Sequence, residues 1–317
     1  MKILKLLYLL ILPLLLAGCA VQASEETTTY NIQIAYLPIT HSTALMVMND
    51  SHECFYDEHG MELVRFTTWP DVVDALRTGR VDGASVLFEV ALQAKLEDDS
   101  LVMLSLTHRD GNVIVVDNYV ETYQDLIGRV VAIPHRLSPQ NTLLQIILER
   151  EGISPDDIQI IEIAPSEMPF SMASGAISAY IVAEPFGSVA EMAGVGRIIE
   201  TSNEIFPNAI CCVLVFREEA ISNPAVREWI MERFNEAAEI ADTRNERVIE
   251  IFQGHTRLAV EIVERSLEHT SFYNLQLTEE EYNAITEIIL RYGVLEEVPP
   301  FHGFVIDELP EIAEPLD

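Results

Sequence analysis

Leu76-Arg-Thr-Gly79-Arg-Val81-Asp-Gly83-Ala-Ser-Val86-Leu-Phe-Glu89 recurs in outline ninety-six positions later, as Met172-Ala-Ser-Gly175-Ala-Ile177-Ser-Ala179-Tyr-Ile-Val182-Ala-Glu-Pro185. The shared frame is an apolar residue, Ser or Thr, Gly, a spacer, Val or Ile, a spacer, Gly or Ala, then a β-rich run ending in Val. Each copy reads as a helix stopped by Gly, a tight turn and a buried strand, with another helix starting beyond it. Helix stops commonly carry Gly, so part of this frame is shared by any two helix–turn–strand units. Two equivalent α/β units predict two similar lobes. A ligand held between them would touch the loops at the strand ends, 87–89 and 183–186.

Outward from the repeat, strands and helices alternate. Strands are expected at 30–37, 61–67, 84–88, 101–106 and 112–116, then at 128–134, 158–163, 180–182, 197–199 and 209–216. Helices are expected from Thr40 or Ser42 to about 58, after Trp69-Pro70, and from Ser138-Pro139 to Glu151-Gly152, where Ser is the N-cap and Pro the first helical residue. From Asn223-Pro224 onwards the chain reads as amphipathic helices at 224–253, 256–268 and 278–292. The expected class is α/β, with mainly parallel sheets, flanking helices and a helical C-terminal extension. The return strand at 209–216 implies a discontinuous first lobe, 30–117 plus 217–317, with 118–216 as the second.

The 317 residues suffice for one large or two medium cores, and the formal net charge of −32 opposes nucleic acid and anionic lipid as partners. Lysine occurs only at Lys2, Lys5 and Lys95. Residues 1–18 read as a leader: a basic start, then an apolar run of about eleven residues, too short for a span of about twenty. The run ends Leu16-Ala17-Gly18-Cys19, which resembles a bacterial lipobox with Cys19 as the lipidated residue. Residues 19–29 read as a polar tether. Three further cysteines, Cys54, Cys211 and Cys212, fit no structural zinc spacing and read as small apolar core residues; a bridge from Cys54 to either of the others is the alternative.

The strand-end loops carry the usable chemistry. Thr40 and His41 stand at a helix start, where exposed N–H groups favour an anion or polar head group. Ser138 offers the same from the second lobe; plain capping is the alternative for both. Trp69 reads as a pocket floor or a packing residue. His108, Asp110 and Asn112 flank Gly111 and can bond a ligand or one another, and Arg109 pairs either with an anionic ligand or with Asp110. His135 is a further donor. Phe88, Glu89 and Glu184 end the two repeats, and a carboxylate in each wall suits a ligand with N–H donors and disfavours a bare anion such as nitrate. His41, His108, His135 and His302 show no His-x-x-x-His pair, so no metal is expected. No Gly-x-Ser-x-Gly, Walker or dinucleotide motif is present, and no cofactor is expected.

Tyr36-Leu-Pro-Ile-Thr-His-Ser42, Trp69 before its helix, Thr78-Gly-Arg-Val-Asp-Gly-Ala84, His108-Arg-Asp-Gly111, Ile133-Pro-His-Arg-Leu-Ser138, Ala183-Glu-Pro185 and Cys211-Cys-Val-Leu-Val215 lie in order between residues 30 and 217. In these stretches the chain resembles the solute-binding lipoproteins of ABC importers of the nitrate/sulfonate/taurine/bicarbonate group, with the thiamine-pyrimidine binders as relatives. The resemblance implies a two-lobed, hinged periplasmic-binding fold of type II and a small-molecule ligand in the cleft. It also implies permease and ATPase partners and an exported, membrane-anchored location. An enzyme alternative is a pyrimidine synthase of the same fold, which needs a pyridoxal-phosphate lysine and a cysteine-rich segment. A ligand-sensing lipoprotein is the third reading.

Overall fold

The computed structural model describes residues 30–52 and 60–306, so Cys19, Cys54, the leader and the tether lie outside the described residues. In chain order the first half comprises β1 (Asn31–Tyr36), α1 (Thr43–His52), β2 (Gly60–Arg65), α2 (Trp69–Arg77), β3 (Gly83–Leu87), α3 (Phe88–Glu97) and β4 (Leu101–Leu106). The chain then crosses through β5 (Arg109–Asp110). The second half holds β6 (Asn112–Val116), β7 (Val130–Ile133), α4 (Pro139–Glu151), β8 (Gln159–Glu162), α5 (Met168–Ala173), β9 (Ala179–Ala183), α6 (Phe186–Met192), β10 (Arg197–Thr201) and α7 (Ser202–Ile205). β11 (Cys212–Arg217) returns to the first half.

Two five-stranded sheets result, ordered β2-β1-β3-β11-β4 and β8-β7-β9-β6-β10. They are the same sheet built twice. In each, the strand of the repeated stretch, β3 or β9, lies at the centre. Beside it lies the strand that has crossed from the other half, running antiparallel to both neighbours, while the other pairs are parallel. The sheets are therefore mixed, and in each the crossing strand alone is reversed.

One expectation changes here. The sequence placed 112–116 with the first lobe and 209–216 with the second, but pairing puts β6 in the second sheet and β11 in the first. Between Asn112 at one end of β6 and the half-buried Arg217 at the end of β11 both strands are buried and apolar, so polarity carried no sign of which sheet would take them. The segments that join the two sheets are 107–111 and 202–211.

The Gly-or-Ala position of the repeat has a packing cause. Gly83 pairs with Phe216, and a Cβ built on Gly83 would fall 2.4 Å from Cε1 of that ring. The equivalent Ala179 pairs with the smaller Val116. Gly83→Ala is expected to cost about 1–3 kcal/mol through overpacking. Gly83→Ala with Phe216→Val, which copies the second sheet, should recover part of the loss in urea denaturation; equal midpoints for the single and double variants would count against the ring as cause.

The C-terminal region comprises α8 (Pro224–Asp242), α9 (Glu246–Thr256), α10 (Val260–Leu267), β12 (Thr270–Ser271), α11 (Glu279–Arg291) and α12 (Phe301–Phe304). The helix expected over 224–253 is two helices. Arg244 takes a left-handed φ of 50°, and the Asn245 side chain caps the second by accepting Val248 N–H. Val226, Phe234, Phe252, Leu267, Ile289 and Phe304 join the core of the first sheet, whereas the second sheet has its own smaller core on each face. Among the described residues no helix is long and apolar enough to cross a membrane.

Candidate functional site

Since β11 enters between β3 and β4, its first residues meet the loops that leave β1 and β4. Those loops carry His41 and His108, both fully buried. Their rings stack with centroids 3.6 Å apart. His41 Nε2 lies 3.0 Å from the Gly111 carbonyl. An N–H at Nε2 donates to that oxygen, which leaves Nδ1 with a free lone pair. The close approach needs glycine: Gly111 has φ +80°, and a Cβ there would sit 2.7 Å from His41 Nε2. His41 Nδ1 is 3.5 Å from Cys211 Sγ and 3.5 Å from Cys212 Sγ, and the two sulfurs are 3.9 Å apart. The Cys212 N–H donates to His108 Nε2 at 3.2 Å. Cys211, just before β11 begins, turns its sulfur to the same side as Cys212.

The second half closes over this cluster with two side chains of α4. Gln140 Nε2 donates to Asn112 Oδ1 at 2.6 Å and lies 3.6 Å from Cys211 Sγ. Thr142 Oγ1 donates to Glu89 Oε1 at 2.7 Å. Four polar atoms of the seam are buried without a partner: Glu89 Oε2, His108 Nδ1, Asn112 Nδ2 and Gln140 Oε1. Buried polar atoms are ordinarily satisfied, so a group of orphans marks a place where a ligand can supply partners. The space beside Glu89 and Thr142 is about 10 Å³, room for one water at most.

Burial pushes the Glu89 carboxyl up to about 8, against the pull of the Thr142 hydroxyl. Burial likewise lowers His108 to about 4. Burial also opposes ionisation of Cys211, yet the Cys212 S–H and the two imidazoles together hold its thiol well below the ordinary range. Burial, then the hydrogen bond to Cys211, pushes Cys212 well above it.

His41, Glu89, His108 and Asn112 thus gather as a site. Thr40 sits at its edge, with its N–H and hydroxyl both given to the Glu184 carbonyl at 2.9 and 3.1 Å. The remaining candidates are used elsewhere. Glu184 accepts Gly187 N–H, Ser188 N–H and Ser188 Oγ–H at 2.8–3.0 Å, so it caps its own helix; burial raises it to about 7 despite these donors. Ser138 caps α4 by accepting Asn141 N–H at 3.1 Å. Asp110, with a left-handed φ of 59°, accepts Ala209 N–H. Phe88 packs edge-on against Tyr282. Trp69 and His135 meet in a separate pocket of about 210 Å³, where α2 and α3 of the first half face His135 and Leu137 of the second. A second cleft of about 210 Å³ joins Leu37 and Ile39 to Ser166 and Phe186, with Arg65, Thr67 and Thr256 as its other polar lining. Cys211 and Cys212, expected as apolar core, are the residues sequence reasoning missed, together with Gln140 and Thr142. A pair of cysteines at a strand start was the available signal.

A model of the NMT1-like family matches residues 24–253. The chain belongs to the NMT1-like family. Among curated relatives, it is 28% identical over 241 residues to the nitrate import ATP-binding protein NrtC of Synechocystis sp., covering 68% of this chain and 36% of that protein. It is 30% identical over 244 residues to the bicarbonate transport ATP-binding protein CmpC of the same organism, covering 69% and 36%. This NMT1-like chain therefore spans about a third of the length of those relatives. Among solved structures, the ligand-binding component of an ABC-type import system from Staphylococcus aureus, with zinc bound, superposes with a TM-score of 0.84 at 30% identity. That match covers 89% of this chain and 98% of the other. The expected α/β, two-sheet periplasmic-binding architecture is thus the fold of a family member.

Proposed function

We propose that this chain is the extracytoplasmic solute-binding component of an ABC importer, lipid-anchored through Cys19, and that it delivers a small polar solute to a membrane permease and its ATPase. The observation that carries the reading is the buried polar seam. Thr142 reaches across it to Glu89 and Gln140 reaches across it to Cys211, and unpartnered donors and acceptors remain beside them. The lobes are the two sheets with their helices, and the joints are the crossings at 107–111 and 202–211. A space of about 10 Å³ admits a solute only if the seam opens, so capture is hinge closure.

The chemistry of the seam also bears on the solute. Glu89, raised to about 8, is a neutral acid at neutral pH. It then repels no anion, and its O–H can donate to one, as can Asn112 Nδ2. This removes the expected bar against small oxyanions, so bicarbonate-like, nitrate-like, sulfonate and pyrimidine solutes all fit the donor set. The enzyme reading is weakened by Lys95, whose ammonium is tied to Asp99 at the end of α3.

A thermal-shift screen of these solutes is the test. A solute that binds only the folded state at a hundredfold excess over its Kd adds about 2.7 kcal/mol of stability. The hit should compact the protein in small-angle scattering. Gln140→Ala and Asn112→Ala should each weaken it at least tenfold, while Trp69→Ala should leave it unchanged. Weakening by Trp69→Ala alone would move the site to the pocket between Trp69 and His135.

A further inference from the structure

We propose that His41, Cys211 and Cys212 form a three-ligand site for a borderline-soft divalent cation of the zinc class, with the fourth coordination position open.

The geometry carries the assignment. Zinc–sulfur bonds of about 2.3 Å and zinc–nitrogen bonds of about 2.0–2.1 Å, at tetrahedral angles, set N···S at about 3.5 Å and S···S at about 3.8 Å. The three atoms here stand at 3.5, 3.5 and 3.9 Å. One ion fits between them with almost no movement. All three residues are fully buried, which removes the competing hydration that weakens surface sites. The outer support is also in place. The Gly111 carbonyl takes the Nε2 proton of His41, which fixes the ring orientation and leaves Nδ1 as the ligand atom. The donor set, two sulfurs and one imidazole, suits zinc and disfavours magnesium or calcium, which take oxygen ligands.

His108 belongs to the same cluster of donor atoms within 4.8 Å. Its Nε2 accepts the Cys212 N–H, so the neutral ring keeps its proton on Nδ1. Its Nε2 lone pair is therefore taken, the ring stays as the stacking partner of His41, and the fourth position falls to an outside donor. Three protein ligands with one open position is the arrangement zinc adopts where it holds an exchangeable ligand. Binding displaces the proton of the Cys212 thiol, and the two thiolates neutralise a divalent charge, so no net charge is left buried.

The test uses the reduced, full-length chain, stripped with chelator, loaded with Zn²⁺ or Co²⁺ and desalted. The expected result is close to one metal per chain. The cobalt form should show a thiolate-to-metal charge-transfer band in the near ultraviolet and d–d bands of tetrahedral intensity. Cys211→Ser with Cys212→Ser should abolish both bands and stoichiometry, and His41→Ala should lower affinity at least a hundredfold. His108→Ala should keep the stoichiometry, which separates a neighbour from a ligand. Folded wild-type protein with no retained metal and no charge-transfer band would overturn the proposal, whatever the variants do. So would full retention by the double serine variant, whose fold is checked by circular dichroism.

Discussion

Arg109→Ala is expected to lower the stability of the protein by about 3–5 kcal/mol, the scale for removing one partner from a buried, hydrogen-bonded charge network. Arg109 is 3% exposed. Its guanidinium donates to the carbonyls of Asn274, Asn208 and Gln276 at 2.7, 3.3 and 3.2 Å and pairs with Glu281 at 2.9 Å. These partners come from the return crossing, from the segment leading into α11 and from the first turn of α11. The backbone follows the same route, since β5 pairs with β12 and Arg109 bridges Ile210. One side chain thus ties both crossings to the C-terminal region. Alanine would leave three half-buried carbonyls and a carboxylate without this donor. Arg109→Lys, with one point donor in place of a planar fork, should recover only a minor part. Urea denaturation of both variants checks this. A loss under about 1 kcal/mol for Arg109→Ala would mean that water replaces the network and that the C-terminal region is held by packing alone.

Arg109 also shows where sequence reading stopped. Its carbonyl partners lie between 99 and 167 positions away, and Glu281 farther still, so nothing near it in the chain distinguished a tether from an anion-binding residue. The neighbouring Asp110, named as its alternative partner, instead turns to the Ala209 N–H. What was legible was periodic and local: the repeated stretch, the strand alternation, the Ser138-Pro139 and Thr278 helix starts, and through them the twofold plan. The site was half legible. His41 and His108 are polar residues at strand ends, which is a position with functional meaning. Cys211 and Cys212 continue a buried apolar run, and a buried thiol in a polar cluster looks the same in sequence as one in a core. Trp69 lines a pocket between the halves that is separate from the cysteine cluster, and Glu184 serves as a helix cap. Spacing cannot say towards which face of an element a side chain turns once the second half folds over the first.

Glu89 gives the pH dependence of the folded state. Burial raises its carboxyl from 4.5 to about 8. In the unfolded chain the proton leaves near the ordinary value, while in the folded protein it stays, so between these limits the folded state binds more protons. Stability from this group is therefore fully present below about 4.5 and declines as pH rises through about 8. A difference of that size is on the order of 5 kcal/mol. The facing groups sharpen the sign. Thr142 donates to Oε1 and favours the ionised form, but Oε2 has no partner and Cys211 thiolate nearby disfavours a second negative charge. A neutral O–H is the better occupant of the seam. Glu89→Gln keeps the shape and an acceptor for Thr142 while removing the titration. Denaturation measured with chelator present, at pH 5 and pH 9, should show wild type losing markedly more stability across that interval than Glu89→Gln. The difference between the two proteins isolates Glu89 from the cysteines and imidazoles, which both retain. Parallel profiles would mean that Glu89 ionises within the fold. The seam would then hold a fixed negative charge, and the solute it selects would have to bring positive charge or N–H donors rather than oxyanion oxygens.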